Sequence, residues 1–350
     1  MRKYILDWKF LIFFLISFFV LKDIPPILYK SVDSVKVINT GFYFLSSDPF
    51  SHAMNWDNFL TPFLSYIFQM NQDPITFAKY LDRVSFVSFL LLIFITFRVA
   101  GYICAYSLLF FLTGSPLLLI FRNWIGFPDN ITFLISISLV YLFQQQTYSY
   151  KTYFFLVLVL VLGMTNHFFQ FSMILFLLTL IKVSRDEWNR TKILFSILIA
   201  YLISSVLFFV LTEYYPVDSN LNRLHTAKSI LGDEFIRLNG NNLEFSLLSL
   251  FHGLWLVVLY ILSRSKFIYS ISILICIIIT SMTYDTTRVF ALLSMPIMIY
   301  CILDSWKSYK DIEKKVIFGL SLLSPVFMYS YPLFYKWDHK IIFLNGKILQ

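Results

Sequence analysis

The sequence predicts an all-α polytopic membrane protein with about eleven transmembrane helices, and three observations lead to that fold class. Of the 350 residues, 58% are hydrophobic and only 14% are charged, and the mean hydropathy is +0.73. The apolar residues fall in long runs that short polar loops separate. Because a soluble domain of this size could not bury so much apolar surface, we interpret the runs as helices that lie in lipid.

Each helix is placed by the length of its apolar run. A span needs roughly 20 apolar residues, and fewer when the helix packs within a bundle. This criterion predicts helices near 5–22, 84–100, 102–121, 131–146, 152–166, 168–183, 192–212, 246–263, 267–282, 288–303 and 315–331. The first run resembles a signal sequence, but no small-residue cleavage site follows it, so we interpret it as an uncleaved helix.

The net charge of +8 is explained by membrane orientation rather than by nucleic-acid binding. With the N-terminus inside, the short outside loops carry only Arg122 and Arg288, whereas the inside loops carry most of the basic residues, and cytoplasmic loops are enriched in Lys and Arg. The inside loops contain Arg98, Lys151, Lys182, Arg185, Arg190, Lys192, Arg264, Lys266, Lys307, Lys310, Lys314 and Lys315. The pattern predicts a multi-pass protein of the plasma (inner) membrane without a nucleic-acid partner.

Two long polar segments, 23–83 and 213–245, fall on the predicted outer side. The first contains a predicted amphipathic helix from Trp56 to Gln69, whose apolar face would lie along the membrane surface. The three cysteines lie in apolar runs and have no cysteine or histidine at metal-ligand spacing, so neither a disulfide framework nor a zinc site is indicated. These cysteines are Cys104, Cys276 and Cys301.

The candidate chemical groups also fall on the predicted outer side or at outer helix ends. They are Asp33, Asp48, His52, Asp57, Arg122, Asp129, His167, Asp285 and Arg288. An ionisable residue at the end of a buried helix is costly unless it is paired, and it therefore indicates a function. Arg288 suits phosphate binding, although an i,i+3 pair with Asp285 is an alternative. Asp33 and Asp129 have an alternative role as helix N-caps.

The order of several motifs along the chain carries a family resemblance. The motifs are Asp33-Ser34-Val35-Lys36, Ser47-Asp48-Pro49, Trp56-Asp57 with Pro62, Tyr80-Leu81-Asp82-Arg83, Ser115-Pro116, Arg122 with Gly126-Phe127-Pro128-Asp129, Leu162-Gly163-Met164-Thr165-Asn166-His167, and Thr286-Thr287-Arg288 with Pro296. In this order, and with this outer placement, the chain resembles the GT-C superfamily of integral-membrane glycosyltransferases, which includes protein O-mannosyltransferases and the aminoarabinose transferase of lipid A. The resemblance is good over 1–185 and weak beyond.

The resemblance implies an enzyme that transfers a sugar from a polyprenyl-phosphate donor to a saccharide, lipid or protein acceptor of the cell envelope. Residues 1–185 would form the catalytic module, and 186–350 a variable transmembrane module with the outer loop 213–245. Such transfer needs a base for the acceptor and cations for the leaving phosphate. Asp33 is the first candidate for the base and Asp129 the second catalytic carboxylate. The predicted substrate-binding residues are Asp48, His52, Asp57, Arg122, His167, Asp285 and Arg288.

A divalent cation, Mg²⁺ or Mn²⁺, held by Asp33 and Asp129 is an option that this interpretation leaves open, and no other cofactor is expected. Two other functions are alternatives. An O-antigen-type polysaccharide polymerase would use lipid-linked substrates and outer arginines such as Arg223 and Arg237. A transporter or flippase of lipid-linked oligosaccharides would call for ionisable residues in mid-helix and for repeat symmetry, neither of which the sequence shows.

Overall fold

The structure, a computed structural model, describes residues 12, 15–17, 59–69, 74–123, 128–145, 148–184, 190–214, 243–281, 286–330, 333–335, 341–343 and 348–349. Five predicted site residues lie outside these ranges, namely Asp33, Asp48, His52, Asp57 and Asp285. Most of the predicted first helix, 5–22, and of the polar segment 213–245 also lie outside the described residues.

The described part of the chain is almost entirely helical. Its helices are α1 (Leu60–Ile67), α2 (Pro74–Ala100), α3 (Tyr102–Thr113), α4 (Pro116–Asn123), α5 (Asp129–Phe143), α6 (Tyr150–Asn166), α7 (Phe168–Val183), α8 (Arg190–Tyr214), α9 (Leu243–Phe251), α10 (Trp255–Arg264), α11 (Phe267–Ser281), α12 (Thr286–Ser305) and α13 (Asp311–Ser330). A 3₁₀ turn, His252–Leu254, joins α9 to α10. Three short strands, β1 (Leu333–Tyr335), β2 (Ile341–Phe343) and β3 (Ile348–Leu349), pair in antiparallel fashion in the order β1-β2-β3, which was not expected from the sequence.

Within the described residues, four helical segments are long and apolar enough to cross a membrane: Lys79–Ala100, Arg190–Val210, Ser246–Arg264 and Thr287–Ser305. Five further apolar helices, α3, α5, α6, α7 and α11, are shorter. Many large apolar side chains on α6 and α8 are exposed, as expected for surfaces that lie against lipid. The helical fold class and its membrane character are therefore supported, whereas the count of eleven spans stays a prediction.

The predicted helix 102–121 is wrong as a single element, because the chain divides it into α3 and α4. Gly114 and Ser115 separate the two helices, and Pro116 occupies the first position of α4, where a missing N–H costs nothing. A Cβ atom on Gly114 would collide with Ser324 of α13. The break therefore lies where α13 packs against α3, a contact that hydropathy does not register.

Two other predicted boundaries are corrected. The helix predicted at 84–100 begins at Pro74, so the polar segment before it is shorter than predicted. The helix predicted at 246–263 is interrupted at His252, whose φ is 49°, at the start of the 3₁₀ turn. A Cβ atom on the next residue, Gly253, would collide with Phe327, so this interruption also accompanies close packing against α13.

Helix α12 lies at the centre of the bundle. In the most apolar stretch of α12, 83% is buried inside the protein, whereas only 22% of the corresponding stretch of α8 is buried. It packs against α11 and α9 and also against α4, α5 and α7 from the first half of the chain. A residue on α12 is therefore well placed to contact several other helices.

The division into modules at 185 stays a prediction.

Contacts between helix ends divide the ends of the bundle into two groups. At one end, Asn166 contacts Pro128 and Thr287 contacts Ser249. At the other end, Lys182 contacts Gln145. We refer to these groups as the Asp129 end and the Lys182 end of the bundle. The short-loop charges predict that the Asp129 end faces the exterior.

Candidate functional site

The Asp129 end contains a buried ion pair between two predicted site residues. The Arg288 Nε atom lies 3.2 Å from the Asp129 Oδ2 atom, and the two side chains are 12% and 2% exposed. Asp129 is the first residue of α5, and Arg288 lies in the first turn of α12. The fold thus brings together two residues that are 159 positions apart in the sequence.

The local electrostatics make this pair unusual. A helix N-terminus carries a partial positive charge that stabilises Asp129 but disfavours a cation such as Arg288, each by about 0.3–1 kcal/mol. Removing both charges from water costs several kcal/mol per ion before their mutual attraction repays it. Arg288 therefore places a positive charge at the N-terminus of α12, where the helix dipole favours an anion.

The contacts of Asp129 and Arg288 bear on the alternatives raised by the sequence. The N-cap of α5 is Pro128 rather than Asp129, and no side-chain capping bond forms there. Asp129 is thus not the N-cap of α5; its carboxylate contacts the guanidinium of another helix. Arg288 forms its ion pair across helices, while its predicted neighbour Asp285 lies outside the described residues.

Asn166, the last residue of α6, connects three segments next to the ion pair. Its Nδ2 atom donates to the Pro128 carbonyl at 3.0 Å and to the Thr132 Oγ1 atom at 2.9 Å. Its Oδ1 atom accepts a hydrogen bond from the Thr61 hydroxyl at 2.6 Å. All of these groups are buried. Asn166 therefore fixes the turn before Asp129 and docks α1 onto the bundle.

Helix α1 corresponds to the predicted amphipathic helix Trp56–Gln69, and its described extent is shorter, Leu60–Ile67. Leu60 and Leu64 pack against the core, while Ile67 is exposed. The buried Thr61 lies on the packed side and supplies the hydrogen bond to Asn166. This part of the polar segment therefore lies over the Asp129 end.

A second buried amide, Asn130, holds the start of α5 against α2. Its Nδ2 atom donates to the Leu81 carbonyl at 3.3 Å and to the Ser85 hydroxyl. Together with Asn166, it supports both sides of the backbone that carries Asp129. The position of the carboxylate is therefore set by hydrogen bonds as well as by packing.

The remaining predicted site residues are placed as follows. His167 is half-buried, lies between α6 and α7 next to Asn166, and makes no side-chain capping bond to α7. Arg122 belongs to the last turn of α4, and its side chain lies outside the described part of the structure. Sequence reasoning missed Thr61, Asn130 and Thr132. The run of polar residues Asp129-Asn130 at a predicted helix start was the available signal for Asn130.

The described surroundings of Asp129 do not fit a divalent cation. Its carboxylate contacts a guanidinium, and a metal ion there would meet a positive charge. Within the described ranges, no group of three or more His, Cys, Asp or Glu side chains is arranged to hold a metal ion. Chemically, this end offers a cation and a carboxylate held rigidly together.

No family model, curated protein or solved structure matches the chain.

Proposed function

We propose that the chain is a membrane glycosyltransferase that transfers a sugar from a polyprenyl-phosphate donor to an acceptor at the Asp129 end. The observation that carries the proposal is the buried contact between Asp129 and Arg288. Both residues belong to motifs in which the sequence resembles the GT-C superfamily, and the sequence predicts both as site residues. The meeting of two such distant motifs supports a common site.

The proposed reaction assigns different tasks to these groups. The acceptor hydroxyl attacks the anomeric carbon of the donor sugar, and the bond between that carbon and the phosphate oxygen breaks. The acceptor proton passes to a carboxylate, and polyprenyl phosphate leaves with the negative charge. Arg288 binds this phosphate, aided by the N-terminus of α12, because both present positive charge to an anion.

Asp129 orients Arg288 and the acceptor in this proposal, and Asp33 remains the candidate base. The Asp129 carboxylate is engaged by the Arg288 guanidinium, so it is less available to take the proton of the acceptor. Asp33, which lies outside the described residues, is therefore the first carboxylate to test as the base.

The position of the charged residues favours an enzyme over a transporter or flippase. Every Asp, Glu, Lys and Arg within the four candidate spans lies among the first or last five residues of its span. A transport pathway through the membrane centre calls for ionisable residues in mid-helix. The polymerase alternative also uses lipid-linked substrates, and its products distinguish it, since a polymerase lengthens a glycan in repeated units.

The test measures sugar transfer in membranes that contain the wild type or a single variant, with a mixture of polyprenyl-phosphate sugars as donors. Asp33→Asn, Asp129→Asn and Arg288→Gln are each expected to abolish transfer at equal protein abundance. Asp311→Asn is the matched control, because the Asp311 side chain is 92% exposed and lies at the opposite end. Unchanged transfer by Arg288→Gln would refute its role in phosphate binding, and polymer formation would favour the polymerase.

A further inference from the structure

Two turns meet at the Lys182 end of the bundle, beside the end of α12. The Ser265 hydroxyl, in the turn between α10 and α11, forms a 2.8 Å hydrogen bond with the Tyr309 hydroxyl, in the turn between α12 and α13. The Gln144 amide donates to the Tyr300 carbonyl, which joins this end of α12 to the end of α5. We refer to residues 264–269 and 304–315, all of which the structure describes, as the paired turns.

The paired turns carry more basic than acidic side chains. Six basic residues and three acidic ones lie in the two ranges, which gives them a net charge of +3. The Arg264 Nε atom lies 3.6 Å from the Glu313 Oε1 atom, and the Lys314 ammonium lies 3.3 Å from the Asp311 Oδ1 atom. Among the residues that the structure describes, the other four basic side chains are exposed and form no ion pair: Lys266, Lys307, Lys310 and Lys315.

This arrangement leaves four accessible ammonium groups on one surface. The hydrogen bond between the two hydroxyls brings Lys266, next to Ser265, toward Lys307 and Lys310, which flank Tyr309. Two of the acidic residues already engage the other two cations. The four lysines therefore attract an anion from outside the described part of the chain.

Two strongly exposed apolar side chains lie directly beside these lysines. Phe267, the first residue of α11, follows Lys266 and is 76% exposed, and Ile312, in the first turn of α13, is 70% exposed. Exposed apolar side chains continue along the same helices, with Leu274 on α11 and Val316 on α13. Cations at helix ends, with apolar side chains that extend from them along the helices, match the boundary between lipid headgroups and acyl chains.

We propose that the paired turns bind the headgroups of anionic glycerophospholipids in the leaflet at the Lys182 end. The ammonium groups of Lys266, Lys307 and Lys310 contact the phosphates, and the acyl chains lie along α11 and α13. A net negative headgroup suits this surface because unpaired lysines attract anionic lipids and repel the cationic part of a zwitterionic headgroup. The paired turns lie at the opposite end from Asp129, and the proposal does not depend on sugar transfer.

The test places a fluorescent probe beside the paired turns and measures which lipid quenches it. Val316→Cys supplies the labelling site, because Val316 is exposed whereas Cys104, Cys276 and Cys301 are buried. The labelled full-length protein is reconstituted in mixed vesicles of phosphatidylcholine and phosphatidylglycerol, in which one lipid or the other is brominated. The two extents of quenching give the relative binding constant of the lipids, which is expected to favour phosphatidylglycerol by more than about tenfold.

Lys307→Gln/Lys310→Gln, in the labelled protein, is expected to lower this preference by about tenfold, since a lysine near an anionic surface contributes up to about fivefold. Both side chains are exposed and unpaired within the described ranges, so the variant is expected to fold. Lys307→Arg/Lys310→Arg keeps the charge and is expected to keep the preference. Lys151→Gln/Lys192→Gln is the matched control, because it removes the same charge from exposed positions on α6 and α8, and it is expected to change the preference less than about twofold.

Two outcomes would overturn the proposal. Equal quenching by the two lipids in the labelled parent protein would mean that the lysines do not select anionic headgroups and would point to an acidic partner in the aqueous phase instead. An equal fall in the control would mean that the preference reflects the total charge of this end rather than the paired turns.

Discussion

The contact between Asp129 and Arg288 leads to a prediction about stability that can be tested separately from activity. Arg288→Met removes the guanidinium and leaves a carboxylate that is only 2% exposed. Breaking a buried pair in this way costs about 3–5 kcal/mol. Asp129→Asn leaves Arg288, which is 12% exposed and long enough to reach water, so we expect a smaller loss of about 1–3 kcal/mol.

The double variant Asp129→Asn/Arg288→Met distinguishes a coupled pair from two independent effects. Asn at position 129 carries no charge, so Arg288→Met no longer leaves a buried carboxylate without its partner. The two losses are therefore not expected to add. The expected coupling is about 0.5–3 kcal/mol, and the double variant should be no less stable than Arg288→Met alone. The assay is the free energy of unfolding in detergent micelles, measured for all four proteins under the same conditions.

Two results would refute this reasoning. A loss below about 1 kcal/mol in Arg288→Met would mean that the pair is solvated or absent. Strictly additive losses in the double variant would mean that the two side chains do not interact. Sugar transfer then separates structure from chemistry: a stable double variant that transfers sugar at the wild-type rate would reduce the pair to a structural role.

Three further predictions concern other parts of the fold. Asn166→Ala is expected to cost about 1–3 kcal/mol, since it strands buried partners, and to increase proteolysis near α1; an unchanged digestion pattern would contradict the docking role. Gly114→Ala is expected to destabilise by about 1–3 kcal/mol through collision with Ser324, whereas Gly319→Ala, with no atom within 4 Å of the added Cβ, should not destabilise. Burial raises the pKa of Tyr309 to about 12 from 10.0, so its contribution to stability is complete below pH 10 and is lost as pH rises toward 12. Tyr309→Phe should remove that part of the alkaline destabilisation, and identical pH curves for the two proteins would contradict it.

Much of the helical fold follows from the sequence, because a long apolar run lies in lipid. There its backbone N–H and C=O groups find hydrogen-bond partners only within a helix. The structure places helices within most of the predicted runs, including 168–183 and 267–282. Hydropathy did not report the breaks at Gly114 and His252. Both accompany close packing against α13, and a sum over local residues contains no information on a partner far along the chain.

The sequence by itself determined the apolar helices, the grouping of basic residues in short loops and the identity of Asp129 and Arg288 as costly charges at helix ends. These properties depend on residue type and local spacing, which are written in the chain. Only the tertiary structure decided that Asp129 pairs with Arg288, that Asn166 docks α1, and that Lys182 lies over Tyr148. Each contact joins different helices, and its free energy depends on a distance and a degree of burial that exist only after those helices pack.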